Sequence, residues 1–188
     1  YYLISPTILL NQSYRTILYD YLDFSFLLQI ECHNILCNFD PMLTPYNDTY
    51  FMRQALQEAN NGMLLGEVPV GAVIVCNNQI IGKGHNLTEM LNDVTAHAEI
   101  QAITAATQYL GGKYLKGCTL YVTLEPCPMC AGALYWSQID KVIFGARDTK
   151  RGACKQEPSL FHPSTLVTNG VLESECAALL KSFFAEKR

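Results

Sequence analysis

The stretch VPVGAVIVCNNQIIGKGH, residues 68–85, decides the fold. Its first half, Val68 to Cys76, is rich in β-branched residues, and the pair Asn77-Asn78 that follows suits a tight turn. Gln79 to His85 then resumes as a strand. The stretch therefore predicts a β-hairpin, whose two paired strands can start a larger sheet.

Helical and strand patterns alternate on both sides of this hairpin. Upstream, apolar residues recur at helical spacing after a capping candidate, Asn47 or Asp48. Downstream, the patterns predict a helix capped by Thr95 and running to about Tyr109, a strand over 118–124, a helix from Pro128 to about Gln138, a strand over 141–145, a further strand within 166–171 and a closing helix over 173–185. Alternation of this kind after a hairpin predicts a three-layer α/β domain with a mixed sheet covered on both faces.

Residues 1–41 differ in composition from the rest of the chain. They are dense in Tyr, Leu, Ile, Phe and Asn, contain no Gly or Lys, and show no sustained helical or strand period. Met42 stands just before the regular pattern begins. We therefore expect residues 42–188 to form one domain and residues 1–41 to be an atypical segment, which is either an artefact of joined upstream sequence, a disordered segment or a genuine extension.

The charge is unevenly distributed along the chain. The formal net charge is −4, and residues 1–41 contribute −3 of it, with one base (Arg15) against the four acids Asp20, Asp23, Glu31 and Asp40. Across residues 141–155, one acid, Asp148, stands among five bases, namely Lys141, Arg147, Lys150, Arg151 and Lys155. An acidic protein can therefore still carry a local positive field, and a nucleic-acid partner is not excluded.

The cysteine spacing and the apolar runs bear on the compartment. The 8 cysteines lie in a chain too long for a small disulfide-stapled scaffold and follow no regular framework, which favours a reducing cytoplasm. The apolar run Phe24 to Ile30 is far shorter than the roughly 20 residues that a membrane span needs. We therefore expect no membrane partner.

Two short clusters carry the residues for chemistry. They are TAHAE, residues 95–99, and EPCPMC, residues 125–130, and each is predicted to open a helix after a turn. Cys127 and Cys130 are three residues apart, so both sulfurs can reach one ion from the same side of a helix. His97 would complete a set of three ligands.

Three protein ligands leave one position of a zinc ion open for water, whereas a structural site closes with a fourth ligand. A zinc ion of this kind lowers the pKa of its bound water far below that of bulk water, to about 7. Glu99 lies two residues from His97, and such side chains converge only over the end of a helix. Glu99 is therefore free to pass protons beside the water rather than to bind the ion.

Taken singly, each cluster has a more ordinary explanation. An isolated Cys-x-x-Cys is more often redox-active, half of a structural zinc site or simply buried thiol, and a histidine at a helix start is commonly a surface residue. Together, a His-x-Glu and a Pro-Cys-x-x-Cys that are thirty residues apart match the signature of the zinc deaminases.

On these motifs, the sequence resembles the bacterial tRNA-specific adenosine deaminases, within the cytidine deaminase-like superfamily. The resemblance covers about residues 48–188. The segments that carry it are EVPVGAVIV (67–75), TAHAE (95–99), LYVTLEPCPMCAGA (120–133), FGARD (144–148) and ECAALL (175–180). It implies that His97, Cys127 and Cys130 bind zinc and that Glu99 carries protons during hydrolytic conversion of adenosine to inosine at the tRNA wobble position.

The resemblance also implies substrate contacts and partners. Asn86 matches the position that hydrogen-bonds the target base, and Asp148 matches one that contacts the RNA beside the flipped nucleotide. Val70 and Ala96 fall at positions that line the pocket. Members of the family are homodimers with RNA lying across both subunits, so a cytoplasmic homodimer that binds a tRNA anticodon loop is expected here.

Two other functions stay open on the sequence. The segment PCPMCAGALYW, residues 126–136, is also similar to guanine deaminases, so a deaminase of free guanine or cytosine, or of their nucleosides, is an alternative. The stretch over 153–172 is shorter than its counterpart in the tRNA enzymes. A non-catalytic zinc or RNA-binding module is the third hypothesis, but such a module would usually lack the proton carrier, and Glu99 is present.

Overall fold

The mixed α/β fold expected from the sequence is present in the computed structural model, which describes residues 46–187. The described elements are helices α1 (Asp48–Leu64), α2 (Ala98–Leu110), α3 (Pro128–Ser137) and α4 (Glu173–Glu186), a short 3-10 helix at Ala153–Lys155, and strands β1 (Gly71–Cys76), β2 (Gln79–His85), β3 (Cys118–Leu124), β4 (Lys141–Ala146) and β5 (Leu166–Asn169). The segment 1–41 lies outside the described residues, so the expected division at residue 42 stays a prediction.

The five strands form one mixed sheet in the order β2-β1-β3-β4-β5. Strand β1 is antiparallel to both of its neighbours, whereas β3, β4 and β5 run parallel. The hairpin closes where Cys76 pairs with Gln79. Asn77 and Asn78 have φ angles of 49° and 60°, the positive values that a two-residue type I′ turn requires at both positions.

Helices cover both faces of the sheet, which makes the three layers. On one face, alanines of α2 and α3 pack with Leu134 against side chains such as Ile74 and Leu120. On the other face, Phe51 and Met52 of α1 pack against Val73 and Tyr121 of the sheet, in the same cluster as a cysteine of α4. The three-layer α/β prediction is confirmed.

Two close helix–sheet contacts depend on glycine. A Cβ atom added at Gly71 would overlap the backbone of α1, and one added at Gly82 would overlap the backbone of α2. Because both strands lack a side chain at these points, the helices can lie directly on the hairpin.

The predicted caps had different outcomes. Asn47 caps α1, since its side-chain oxygen accepts the N–H of Tyr50 at 2.8 Å. The prediction that Thr95 caps α2 is wrong: the N-cap residue is His97, and the Thr95 hydroxyl instead donates to Asp93 at 2.7 Å. The acceptor for the first turn of α2 comes from Asn86, after β2, whose Oδ1 accepts the N–H of Ala98 at 2.9 Å.

The sheet brings the chemical motifs to one of its ends. Asn86 follows the end of β2, and residues 125–127 follow the end of β3 and lead into α3. The start of α2 is tied to the same region by the bond between Asn86 and Ala98. Among residues 46–187, no helix has the length and apolar character needed to cross a membrane.

Candidate metal centre and base pocket

His97, Cys127 and Cys130 meet where two helices begin. His97 is the N-cap residue of α2 and Cys127 is the N-cap residue of α3, and both have extended backbones with no side-chain capping bond. Their side chains are therefore available to a ligand. Pro128 opens α3 without an N–H group that would need a partner, and Cys130 lies one turn further along that helix.

The three potential ligand atoms have the spacing of a zinc site. His97 Nδ1 lies 3.7 Å from Cys127 Sγ and 3.5 Å from Cys130 Sγ, and all three atoms lie within 4.8 Å of one another. A tetrahedral ion with Zn–S bonds of about 2.3 Å and a Zn–N bond of about 2.05 Å separates its sulfur and nitrogen ligands by about 3.6 Å. The donor set and its spacing therefore fit zinc.

Protonation of the cluster also suits metal binding. The hydrogen bond with Cys130 lowers the pKa of Cys127 to about 4, and the same bond raises the pKa of Cys130. The hydrogen bond with Cys127 raises the pKa of His97. The cluster thus holds one thiolate without a metal and releases protons when it takes up an ion, because zinc ligands bind in their deprotonated forms.

Glu99 lies in the first turn of α2, beside this cluster, and is 4% exposed. Burial raises the pKa of its carboxyl group to about 7, the largest influence on it. A group with this pKa exchanges protons readily in both directions near neutral pH, which is the property of a general acid and base.

A pocket of about 460 Å³ opens beside the cluster, a volume in the range of small-molecule sites. Its lining includes His97, Glu99 and Cys127 together with three of the predicted substrate contacts, Val70, Asn86 and Asp148. The structure therefore brings most of the predicted site residues around one cavity, whereas Cys130 and Ala96 are not in its lining.

The predicted substrate contacts occupy different environments. The Oδ1 atom of Asn86 caps α2, which leaves its amide nitrogen as a donor for a molecule in the pocket. The Oδ1 atom of Asp148 accepts the N–H groups of Lys150 and Arg151 at 2.8 and 3.0 Å. Ala96 is not part of the pocket lining: it is 1% exposed, and its carbonyl accepts the N–H of Leu87 at 2.9 Å.

Two buried carboxylates beside the pocket received no role from the sequence. Glu67, 0% exposed, accepts the Thr88 hydroxyl at 3.0 Å and the N–H groups of Glu89 and Met90 at 2.9 Å. Burial is the largest single influence on the pKa of Glu67 and raises it, but the hydrogen bonds together outweigh burial and lower this pKa. Glu125, also buried, is bonded to the loop that follows β4. A signal existed for both, since each is a charged residue next to an otherwise apolar strand pattern.

Comparisons with known proteins agree with this site. Residues 45–146 match the cytidine and deoxycytidylate deaminase zinc-binding region. A tRNA-specific adenosine deaminase of Bacillus subtilis (strain 168) is 47% identical over 148 residues, which cover 75% of this chain and 91% of that protein.

Two solved structures are also similar. One, from biochemical and structural studies of A-to-I editing by tRNA:A34 deaminases at the wobble position of transfer RNA, has a TM-score of 0.66 and 44% identity over 70% of this chain and 99% of that chain. The other, a guanine deaminase of Bacillus subtilis, has a TM-score of 0.53 and 43% identity over 55% of this chain and 66% of that chain.

Proposed function

Because this chain belongs to the zinc-binding cytidine and deoxycytidylate deaminase family, and within it to the tRNA-specific adenosine deaminases, we propose that it converts adenosine to inosine at the wobble position of a tRNA anticodon. The observation that carries the proposal is the cluster of His97, Cys127 and Cys130 beside a buried Glu99, all at one base-sized pocket. The reaction is hydrolysis: water replaces the exocyclic amino group, and ammonia leaves.

Zinc is the cofactor. His97, Cys127 and Cys130 would hold the ion. When bound, zinc supplies an activated water molecule at neutral pH, because an ion with three protein ligands brings the pKa of its water to about 7.

Glu99 moves the protons of the reaction. Its carboxylate takes a proton from the attacking water and donates it to the ring nitrogen next to the carbon that bears the amino group. It then takes the remaining proton from the oxygen added to that carbon and delivers it to the amino nitrogen, so that the C–N bond breaks, ammonia leaves and the carbonyl group of inosine remains. Burial supports this role, since the raised pKa of Glu99 lets both protonation states occur near pH 7.

Asn86, Val70, Ala96 and Asp148 select and hold the nucleotide. The amide nitrogen of Asn86 donates a hydrogen bond to the base, while its oxygen stays bound to Ala98. Val70, 6% exposed, supplies an apolar wall, and buried Ala96 contributes from outside the pocket lining. Asp148 lines the outer part of the site with Arg151 and meets the RNA next to the target.

The basic stretch 147–155 gives the phosphates of the RNA a place to bind. Lys150, Arg151 and Lys155 are exposed, and Arg151 also lines the pocket. Positive side chains at the mouth of a base pocket bind a polynucleotide through its phosphates, whereas a free base carries none. Two further basic residues, Lys187 and Arg188, follow at the end of α4 in the sequence.

Salt should separate these two substrate classes. We expect kcat/KM for an anticodon stem-loop to fall steeply between low and moderate ionic strength, in proportion to the number of phosphates neutralised. The double change Lys150→Glu with Arg151→Glu should lower it by a further factor of about ten, because it replaces phosphate contacts with repulsion. Both effects are measured by inosine formation at a series of salt concentrations.

The matched control is the double change Lys116→Glu with Lys181→Glu. It alters the net charge equally, and both lysines are exposed and outside the pocket lining. Lys116 precedes the start of β3, whereas the pocket lies beyond the end of that strand. A stem-loop activity that ignores salt and responds equally to both double variants would contradict a phosphate-binding role for residues 147–155.

A homodimer in the cytoplasm completes the proposal. Trp136 at the end of α3 is 78% exposed and Tyr114 is 49% exposed, and both line one groove. Large exposed aromatic side chains that lie together are typical of protein interfaces, and a second copy of the chain is the partner proposed here. A reducing compartment that contains tRNA keeps the ligand thiols free and supplies the substrate.

We propose that residues 42–188 form the deaminase domain and that residues 1–41 contribute nothing to catalysis. Deleting residues 1–41 should leave the melting temperature and the rate of inosine formation unchanged. Thermal denaturation and single-substrate kinetics of the two proteins, prepared side by side, check this expectation. A melting temperature that is lower by several degrees after the deletion would show that the segment packs on the core.

Guanine is the second candidate substrate. The guanine deaminase of Bacillus subtilis is 43% identical to this chain, but the aligned region covers 55% of it. The tRNA-specific relative is 47% identical over 75% of the chain. The longer match and the exposed basic side chains beside the pocket both favour RNA as the substrate.

A further inference from the structure

Glu125 joins the metal cluster to the basic loop. It lies between the end of β3 and Cys127, is 4% exposed, and its own N–H donates to the carbonyl of Ala146 at 2.8 Å. The carboxylate group reaches across to the segment after β4. Its Oε2 atom accepts the N–H of Asp148, and its Oε1 atom accepts the N–H of Cys154, both at 3.0 Å.

These two bonds hold the two ends of residues 148–154, which we call the rim loop. Inside the rim loop, the N–H of Gly152 donates to the carbonyl of Asp148 at 3.1 Å. The next residue, Ala153, donates its N–H to the carbonyl of Pro126 at 3.0 Å, directly before the first cysteine ligand. The rim loop therefore closes around one carboxylate.

Gly152 shows how closely the rim loop fits this carboxylate. A Cβ atom added at Gly152 would overlap the carboxyl carbon and both oxygens of Glu125. The φ angle of Gly152 is −63°, which any residue can adopt, so its backbone conformation does not require glycine. Glycine is instead required because the Glu125 side chain fills the space that a Cβ atom would need.

The rim loop carries two residues of the pocket lining, Asp148 and Arg151. The side chain of Asp148 accepts the backbone N–H of Arg151 at 3.0 Å, so the position of Asp148 is coupled to the backbone that carries the Arg151 side chain. Both oxygens of Glu125 are engaged by backbone N–H groups, although the residue also borders the pocket. Its contacts thus point to the loop rather than to the reacting base.

We propose that Glu125 is a positioning residue. It holds the rim loop, and with it Asp148 and Arg151, in the position needed to bind the RNA around the target nucleotide. The proposal rests on the proposed function, since it takes RNA as the substrate. Glu125 acts on substrate binding through backbone hydrogen bonds, and the chemical step is left to Glu99 and the metal ligands.

The substitution Glu125→Gln tests this role without changing the size of the side chain. The amide keeps one acceptor oxygen but turns a donor toward the second N–H group, so one end of the rim loop loses its bond. We expect KM for an anticodon stem-loop to rise about tenfold or more, with kcat within about threefold of the unchanged protein and zinc content stoichiometric. The control is Glu157→Gln, an exposed carboxylate just past the rim loop, which should change neither constant.

A double-substitution cycle tests the packing independently. Gly152→Ala alone should raise KM to a similar extent, because its methyl group displaces the carboxylate. In a Glu125→Ala background the same methyl group has room, so it should change KM by less than about twofold. Equal effects of Gly152→Ala in both backgrounds would overturn the proposal, as would a fall in kcat with unchanged KM in Glu125→Gln.

Amide hydrogen exchange gives a measurement that needs no substrate. In Glu125→Gln, the amide proton that loses its acceptor, that of Asp148 or of Cys154, should exchange about tenfold faster than in the unchanged protein, while those of the β3 strand keep their rates. Unchanged exchange at both residues would overturn the positioning role even if the kinetics were altered. If the unchanged protein forms no inosine, the proposed function fails, and the exchange rates still decide the role of Glu125.

Discussion

Replacing Glu99 by glutamine is expected to slow inosine formation by about two or more orders of magnitude, while the protein keeps its fold and one zinc ion per chain. Glutamine has nearly the same size as glutamate but cannot take a proton from water or deliver one to the base. The carboxylate is 4% exposed and its pKa is raised to about 7, and the amide that replaces it has no acidic proton near this pH. Single-turnover rates on an anticodon stem-loop, with metal analysis of the same sample, measure the effect.

The control for this substitution is Glu58→Gln. Glu58 is also a buried carboxylate, 9% exposed, but it lies on α1 and bonds to His85 at 3.1 Å, outside the pocket lining. Its substitution should leave the rate within a few fold of the original. Substantial turnover by a zinc-loaded Glu99→Gln protein would show that another group carries the proton.

Removing a metal ligand should produce the second large effect. Cys127→Ala and Cys130→Ala are each expected to abolish stoichiometric zinc binding and to lower the melting temperature by about 10 °C or more. The physical reason is that an ion held by these residues would join the starts of α2 and α3, so its binding free energy would be part of the free energy of folding. Metal analysis and thermal denaturation of each purified variant measure the two losses together.

Cys118→Ala separates metal loss from the loss of a buried thiol. Cys118 and Cys130 are both 0% exposed, but Cys118 lies in β3 and is not part of the cluster of three ligands. Its substitution should keep zinc and lower the melting temperature by about 2–4 °C, the shift expected for about 1 kcal/mol in a domain of this size. Full zinc occupancy in Cys127→Ala or Cys130→Ala would mean that a different residue binds the ion.

The elements with strong local signals could be predicted from the sequence. The turn at Asn77-Asn78 and the β-branched run before it are features of neighbouring residues, and the hairpin forms where they predict it. The N-cap at Asn47 is also local, because its bond to Tyr50 spans three residues. The cap of α2 could not be predicted in this way, since its acceptor on Asn86 lies twelve residues before the N–H that it binds.

The same difference between signals from neighbouring residues and contacts between distant residues applies to the candidate site. The juxtaposition of His97, Cys127 and Cys130 could be predicted, because the two motifs together form a specific pattern. The roles of Glu67 and Glu125 could not be predicted, since each carboxylate binds backbone N–H groups more than twenty residues away, and a backbone group has no residue type to recognise. Tertiary contacts of this kind appear only once the loops are placed.

The most direct test of the central claim is the fate of adenosine at the wobble position of an anticodon stem-loop incubated with the zinc-loaded protein. Mass spectrometry of the digested RNA should find inosine at that position and at no other adenosine, with one ammonia released per inosine, and the zinc-free protein should form none. Free guanine and cytosine, supplied at the same concentration, should remain unchanged. Efficient release of ammonia from guanine, with no inosine in any tRNA, would contradict the account and assign the site to a free base.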